Sequence, residues 1–306
     1  MNLQEITCGL RFPEGPVACR DGSILVVEIE AGRLTRVAPS GEKTVITETK
    51  GGPNGAAIGP DGRCYVCNNG GMQFVERNDQ LLPMPAEESS TATGWIDAID
   101  LATGTIETLY TECDGLPLKA PNDIVFDAAG GFWFTDHGKL RRQSRDRGAV
   151  YYAAADGSAI ERVIAPLDSP NGIGLSSDQR WLYVAETHAG RLWSFAVSEP
   201  GAIERLDGPA PWEHGTLLAN PPGYCLLDSL AVDAAGNVCV ASIPHALQVI
   251  SADGRTQRRI DMPDLMPTNI CFDVTGRHRA YVTLSARGCL AMMDWPTGGQ
   301  RLAFEA

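Results

Sequence analysis

The sequence predicts an all-β fold, a six-bladed β-propeller, on three observations. A polar residue, a short apolar strand, a tight turn and a second apolar strand recur six times, opening at Glu14, Asn54, Asn122, Asn171, Asp228 and Asn269. The intervals are 40, 68, 49, 57 and 41 residues, and their mean of 51 is also one sixth of the 306-residue chain. Repeats of about 40–50 residues with four strands each are propeller blades. Second, 33 Gly and 20 Pro are spread along the whole length, as many tight turns between short strands require. Third, no segment keeps the 3.6-residue period of an amphipathic helix. Length alone suggests about two domains. Six repeats that use up the chain point instead to a single propeller domain over residues 1–306.

Each repeat shows its hairpin. The expected turns are Arg20-Asp21-Gly22, Pro60-Asp61-Gly62, Ala128-Ala129-Gly130-Gly131, Ser177-Asp178-Gln179, Ala234-Ala235-Gly236 and Val274-Thr275-Gly276. Asp-Gly and Gly supply the positive φ that tight hairpins need. Second hairpins follow, with turns at Pro39-Ser40-Gly41 and Ala155-Asp156-Gly157. Three stretches exceed what a blade needs: Glu76 to Gly94, the basic Lys139 to Arg147, and Asp207 to Tyr224 with Trp212 and His214. Long loops on a rigid scaffold line binding sites. Either an N-terminal strand (Gln4 to Leu10) or a C-terminal one (Gln300 to Phe304) closes the ring.

A hydrophobic fraction of 43% supports a core and excludes intrinsic disorder. A net charge of −13 repels phosphate backbones and anionic lipid surfaces, which argues against nucleic-acid and membrane partners. No apolar run is long enough to span a bilayer, and the N-terminus has no signal-peptide pattern, so the expected location is cytoplasmic. Nine irregularly spaced cysteines imply no disulfide framework; they read as small buried hydrophobes in a reducing compartment. Cys64 and Cys67 form a C-x-x-C, but within a strand they point to opposite faces and cannot share a metal.

The first residue of each repeat carries the chemistry. Equivalent positions around a ring converge, so Glu14, Asn54, Asn122, Asn171, Asp228 and Asn269 should meet at one mouth of the channel. Two carboxylates and four carboxamides make an oxygen-donor cage for a hard divalent cation. The lack of His and Cys disfavours a structural zinc site. Turn chemistry explains Asn and Asp at strand entries but not Glu14. A second set follows 14 or 15 residues later: Glu28, Asn68, Asp136, Glu186, Ser242 and Leu284. Its acids Glu28, Asp136 and Glu186 are expected behind the ring, orienting the ligating side chains. His137, His188 and His245 lie beside this second set and are expected at the pocket mouth, where an imidazole can shuttle protons.

These residues resemble the senescence marker protein, gluconolactonase and luciferin-regenerating enzyme family along all six repeats. The most specific pieces are Phe12-Pro13-Glu14-Gly15-Pro16, Pro170-Asn171-Gly172 with Leu182-Tyr183-Val184-Ala185-Glu186-Thr187, and Asp228-Ser229-Leu230-Ala231-Val232-Asp233 followed by Gly236-Asn237. The resemblance implies a six-bladed propeller with one divalent metal in its channel, foremost Ca2+, with Mg2+, Mn2+ and Zn2+ as the other candidates. It implies that Glu14, Asn171 and Asp228 are core metal ligands, that Asn122 completes the shell or holds substrate, and that Asn54 lines the channel. Ser229 departs from the Gly common after the last acid, Ser242 from the polar or aromatic residues usual there. No Arg matches those that grip sugar acids. Thr135-Asp136-His137-Gly138 looks more like the drug-responsive lactonase and diisopropyl fluorophosphatase side of the superfamily.

The expected function is a metal-dependent hydrolase that opens a lactone, a small-molecule substrate, to its hydroxy acid. The cation would polarise the carbonyl and stabilise the oxyanion. Asp228 is the expected general base, with a water on the ion as the rival nucleophile. Phosphotriester or fluorophosphate hydrolysis at the same site, or a ligand- or protein-binding propeller with a structural ion, are the alternatives. The sequence leaves oligomeric state open.

Overall fold

A computed structural model describes residues 3–205 and 215–306. Its described residues contain strands and turns and no helix. Among the described residues no helix is long and apolar enough to cross a membrane. Trp212 and His214 of the long proline-rich stretch lie outside the described residues.

Six sheets radiate from a central channel. Their innermost strands are Pro13–Ala18, Pro53–Ile58, Pro121–Phe126, Pro170–Leu175, Leu226–Val232 and Pro267–Phe272. Each is followed by an antiparallel second and third strand, and an outer strand completes four in five of the blades; in the fourth, Arg191–Glu199 pairs with two short outer strands, Ala202–Ile203 and Thr216–Ala219. Five of the six inner strands open on proline. The inner strand is a sheet edge, so the missing N–H costs no ladder bond there. Each inner strand packs on those of its two neighbours, and Pro267–Phe272 returns onto Pro13–Ala18 to close the circle.

The core consists of six apolar clusters, one at each junction between blades. Tyr65, Ile96, Phe126, Phe132 and Phe134 fill the junction of the second and third blades. Covered on both faces, second strands such as Ile24–Glu28 and Cys64–Asn68 are buried throughout. This explains why the strands read as apolar runs with weak alternation. Cys64 and Cys67 fall in different clusters, on opposite faces of their blade. The expected hairpin turns carry Gly22, Gly62, Gly130, Gly236 and Gly276 at positive φ, and Gln179 takes that conformation in the fourth blade.

The N-terminal strand Leu3–Thr7 pairs with Cys289–Asp294 and is the outer strand of the sixth blade, so it closes the ring. The disulfide Cys8–Cys289 reinforces the same junction. Irregular spacing gave no sign of this bond, and its presence removes the cysteine argument for a reducing compartment. Of the other seven cysteines six are buried, as the apolar reading expects. The C-terminal segment is not a closing strand. It runs beneath the channel: Gln300 Nε2 donates to Leu175 O at 2.7 Å, the Phe304 ring meets Phe126 at 5.8 Å, and Arg20 N donates to Ala306 O at 2.8 Å.

Candidate functional site

All six inner strands carry a register shift at their entry, between Glu14 and Val17, Pro53 and Ala56, Pro121 and Ile124, Pro170 and Ile173, Leu227 and Leu230, and Pro267 and Asn269. A bulge re-aims side chains out of the ladder. The six repeat-leading residues sit at or inside these bulges. The strands also approach closely here. A Cβ on Gly15, whose φ is +50°, would stand 2.4 Å from Asn54 O, and one on Gly172 would stand 2.6 Å from Asp228 O. At these two positions glycine after the ring residue is therefore a packing requirement.

Glu14, Asn54, Asn122, Asn171 and Asp228 line one cavity of about 650 Å³ at a single mouth of the channel. Asn269 is buried beside them but is spent on Glu14: its Nδ2 donates to Glu14 Oε2 at 2.7 Å, and its Oδ1 accepts Ile270 N at 2.7 Å. It positions the glutamate and does not line this cavity. Glu14 Oε2 also accepts Gly15 N at 2.6 Å. Asn171 is fixed by Thr187 Oγ1, which accepts from Nδ2 at 3.1 Å, and by Ser229 Oγ, which donates to Oδ1 at 3.3 Å. Asn122 Oδ1 is buried with no hydrogen-bond partner.

A third carboxylate, Asp123, lies directly below the ring and was not expected. It occupies the position where other repeats carry Gly15, Gly55 and Gly172. Its Oδ1 accepts Ile124 N at 3.0 Å and its Oδ2 accepts Ile173 N at 3.3 Å. Burial lifts Glu14 to about 7. Burial, with the Glu14 charge adding to it, lifts Asp123 to about 7. The same two causes raise Asp228 well above the usual carboxylate range. Among the described residues no Lys or Arg pairs with any of the three. Buried carboxylates without a counter-ion are costly. Glu14 and Asp228 line the same cavity as the unpartnered Asn122 oxygen, and oxygen donors of this kind suit a hard divalent cation, whereas Asp123 borders the cavity on the other side and gives both oxygens to backbone N–H groups.

The second set of acids does different work from that expected. Glu28 accepts Arg11 N at 2.7 Å and is bridged by Arg33 and Thr35. Asp136 accepts Lys119 N and Ala120 N, both at 2.7 Å, and Gly138 N at 3.0 Å. Glu186 accepts Asp168 N at 2.5 Å and is bonded by Arg191 and Trp193. None of the three hydrogen-bonds a ring residue; each pins the loop that enters the inner strand of its own blade. Asn68 does the same for Gly52 N at 2.9 Å, whereas in the sixth blade Asp264, itself in the entry loop, accepts Met266 N at 2.6 Å. A strand returning beside its partner ends level with that partner's entry, which brings this backbone within reach.

His137 and His188 face the cavity with ring centroids 5.8 Å apart. Burial pushes His137 down to about 4 and lowers His188, so both are neutral at pH 7. His137 Nδ1 lies 3.0 Å from Gly138 O, and His188 Nε2 is buried without a partner. His245 is a correction. It sits at φ 62° in the tight turn after Pro244, exposed and away from the cavity. Lys139, also unexpected, lines the cavity wall but gives its Nζ to the carbonyls of Asn69 and Gly71.

The two excess stretches within the described residues form the cavity rim. Residues 73–84 are a hairpin of Gln73–Arg77 and Gln80–Met84 rather than loop. Beyond it Glu87 pairs with Arg142 at 2.7 Å, and Glu88 accepts from Ser144 Oγ at 2.8 Å. The basic stretch is thereby largely neutralised, with Arg141 on Asp146 and Arg145 on Asp168.

Comparison with known proteins agrees with this architecture. The chain is 30% identical over 235 residues to lactonase drp35 of Staphylococcus saprophyticus, and 29% identical over 231 residues to that of Staphylococcus haemolyticus. Each match covers 74% of this chain and 62% of the relative, so the chain spans about three fifths of the length of these relatives. Among solved structures, the gluconolactonase XC5397 from Xanthomonas campestris superposes with a TM-score of 0.75 at 23% identity, over 96% of this chain and 89% of that one. The calcium-binding protein regucalcin from Agrobacterium tumefaciens superposes with a TM-score of 0.70 at 19% identity, over 96% and 92%. The family model described as SMP-30/Gluconolactonase/LRE-like region matches residues 12–286. With that match spanning nearly the whole ring, the chain belongs to the SMP-30/gluconolactonase/LRE-like family.

Proposed function

We propose that this protein is a divalent-metal-dependent lactonase, with Glu14, Asn122, Asn171 and Asp228 holding the cation. The observation that carries this is the pair of carboxylates, buried Glu14 and half-buried Asp228, with no Lys or Arg partner among the described residues, beside the orphaned Asn122 oxygen at the floor of an open cavity. When bound, the cation supplies a Lewis acid that polarises an acyl oxygen and offsets its developing charge. Ca2+ fits the all-oxygen donor set best. The regucalcin neighbour is described as calcium-binding, and the drp35 relatives are named lactonases. Both descriptions support this reading.

The chain's own side chains do the rest. Asp228 faces the cavity and takes a proton from the attacking water as its oxygen bonds to the acyl carbon. The ring C–O bond then breaks, and the proton passes to the departing alkoxide oxygen. The product is a hydroxy acid, which releases one proton at neutral pH. Asn269 and Gly15 hold Glu14 in place, and Thr187 and Ser229 hold Asn171. His188, neutral and unpartnered at Nε2, offers the substrate a hydrogen bond.

The test is acid release from a lactone panel, before and after chelation and with Ca2+ added back, on the wild type, Glu14→Gln and Asp228→Asn. Chelation should abolish turnover and add-back restore it. Each variant should lose at least about 100-fold in kcat/KM, the scale of removing one positioned charge-stabilising group. Full, chelator-insensitive activity in Glu14→Gln would exclude this function.

A further inference from the structure

Above the ring, the cavity wall is apolar. Phe12, Ile29, Met72, Leu82, Met84 and Met266 all line it. Leu82 and Met84 lie two apart on one strand of the 73–84 hairpin and so share a face. On the other face buried Leu81 packs with Phe12 and Ile29, and the Phe74 ring meets Phe12 at 5.0 Å. The hairpin is therefore a docked wall. Its turn, Asn78-Asp79, has φ values of 53° and 57°, which both central residues of a tight type I′ hairpin require. Among the described residues Met72 and Met84 are each 43% exposed at the mouth.

Polar side chains such as Gln73, Ser90, Thr187, His188 and Thr268 also line the cavity, but Leu82, Met84 and Met266 present none between them. Among the described residues no arginine lines the cavity, and the Lys139 ammonium is directed at two backbone carbonyls. A polyhydroxylated ring would bring several hydroxyls against methionine and leucine, where each unpaired one is penalised. An anionic substituent would find one cation among the described lining residues, Lys139, whose ammonium is held against the Asn69 and Gly71 carbonyls.

Resting on the lactonase reading above, we infer that the substrate is a lactone bearing an uncharged apolar substituent, and that the 73–84 hairpin with Met72 is the element that selects it. The acyl group sits at the ring and the substituent lies along Leu82, Met84 and Met266. Methionines suit this task because they adapt to alkyl and aryl shapes alike.

Full-length protein loaded with Ca2+ would be assayed by pH indicator on δ-valerolactone, its pentyl-substituted homologue δ-decalactone, and D-glucono-δ-lactone. Each buried methylene is worth about fourfold, so two suffice for about tenfold. The kcat/KM for δ-decalactone should exceed that for each of the others by at least about tenfold. A preference for the sugar lactone would overturn this inference and leave the lactonase reading standing. In the Leu82→Asn, Met84→Gln double variant the δ-decalactone to δ-valerolactone ratio should fall about tenfold; an unchanged ratio would overturn the hairpin's role. Binding is read separately with the unhydrolysed lactams. 6-Pentylpiperidin-2-one should raise the Tm of the wild type and piperidin-2-one should not. Equal shifts would overturn the apolar wall even if no lactone were hydrolysed, an outcome that by itself would sink only the lactonase reading.

Discussion

Glu14 links proton and cation at the site. Buried and lifted to about 7 from an ordinary 4.5, it keeps its proton in the folded, metal-free chain where the unfolded chain has lost it. Between about pH 4.5 and 7 the folded state binds more protons, so metal-free stability falls as pH rises through that window. Asp123 and Asp228 are raised and act in the same sense. His137, lowered to about 4, acts in the opposite sense: its contribution is lost as pH falls from 6.5 towards 4. It makes no bond to the ring, so it should cancel when holo and apo protein are compared at one pH. A cation displaces the carboxyl protons and relieves the repulsion. The gain in Tm from saturating Ca2+ should therefore be larger at pH 7.5 than at pH 5.5 by scanning fluorimetry, and Glu14→Gln should remove much of that difference. Equal gains at both pH values in the wild type would contradict the argument. At this scale the repeat made five cavity residues legible, because equivalent positions must converge. Asp123 escaped because it occupies the motif's glycine position. The capture of Asn269 by Glu14 escaped because the partners are 255 residues apart and meet only on ring closure.

The hairpin ends explain how elements hold the ring without touching it. Asp136 is almost fully buried, yet it accepts three backbone N–H groups from the loops around Pro121 and Gly138. Removing the acceptor strands those donors at about 1–3 kcal/mol each. Asp136→Ala should lower unfolding free energy by at least about 3 kcal/mol, measured by urea denaturation. It should also weaken Ca2+ binding, measured by calorimetry, because Asn122 is next in the chain after the pinned entry. A loss below about 1 kcal/mol with unaltered binding would mean the loop needs no such pin. The sequence spacing located these acids correctly and misjudged their partner. Periodicity places a side chain at the strand end, but the choice between a neighbouring amide and a neighbouring backbone depends on loop conformation. The same limit applies to the 73–84 hairpin. Its Pro83 and exposed charges suppress the strand pattern, and only docking on Phe12 makes it a wall.

For the whole molecule the question is what keeps the channel floor dry. One end of the ring is tied by Leu3–Thr7 and the Cys8–Cys289 bond. The other mouth is crossed by residues 299–306, which touch the fifth, fourth, third and first blades in turn at Asp233, Leu175, Phe126 and Arg20. Between this strap and the ring lies a second cavity of about 120 Å³, bounded above by Asp123 and Asn269 and below by Leu302, Ala303 and Phe304. Burial is the leading cause of the raised carboxyls above it. Deleting residues 300–306 should thus do two things. Losing the partly buried Phe304 and the strap's hydrogen bonds, less the chain entropy regained, should cost about 2–4 kcal/mol in urea denaturation. Opening the floor should also let water reach Asp123 from below and bring the channel acids back towards ordinary values. The extra Tm gain from Ca2+ at pH 7.5 over pH 5.5 should then shrink. A strap that only staples blades would lower stability and leave that pH dependence intact, so the two measurements on one truncated protein separate a mechanical role from an electrostatic one.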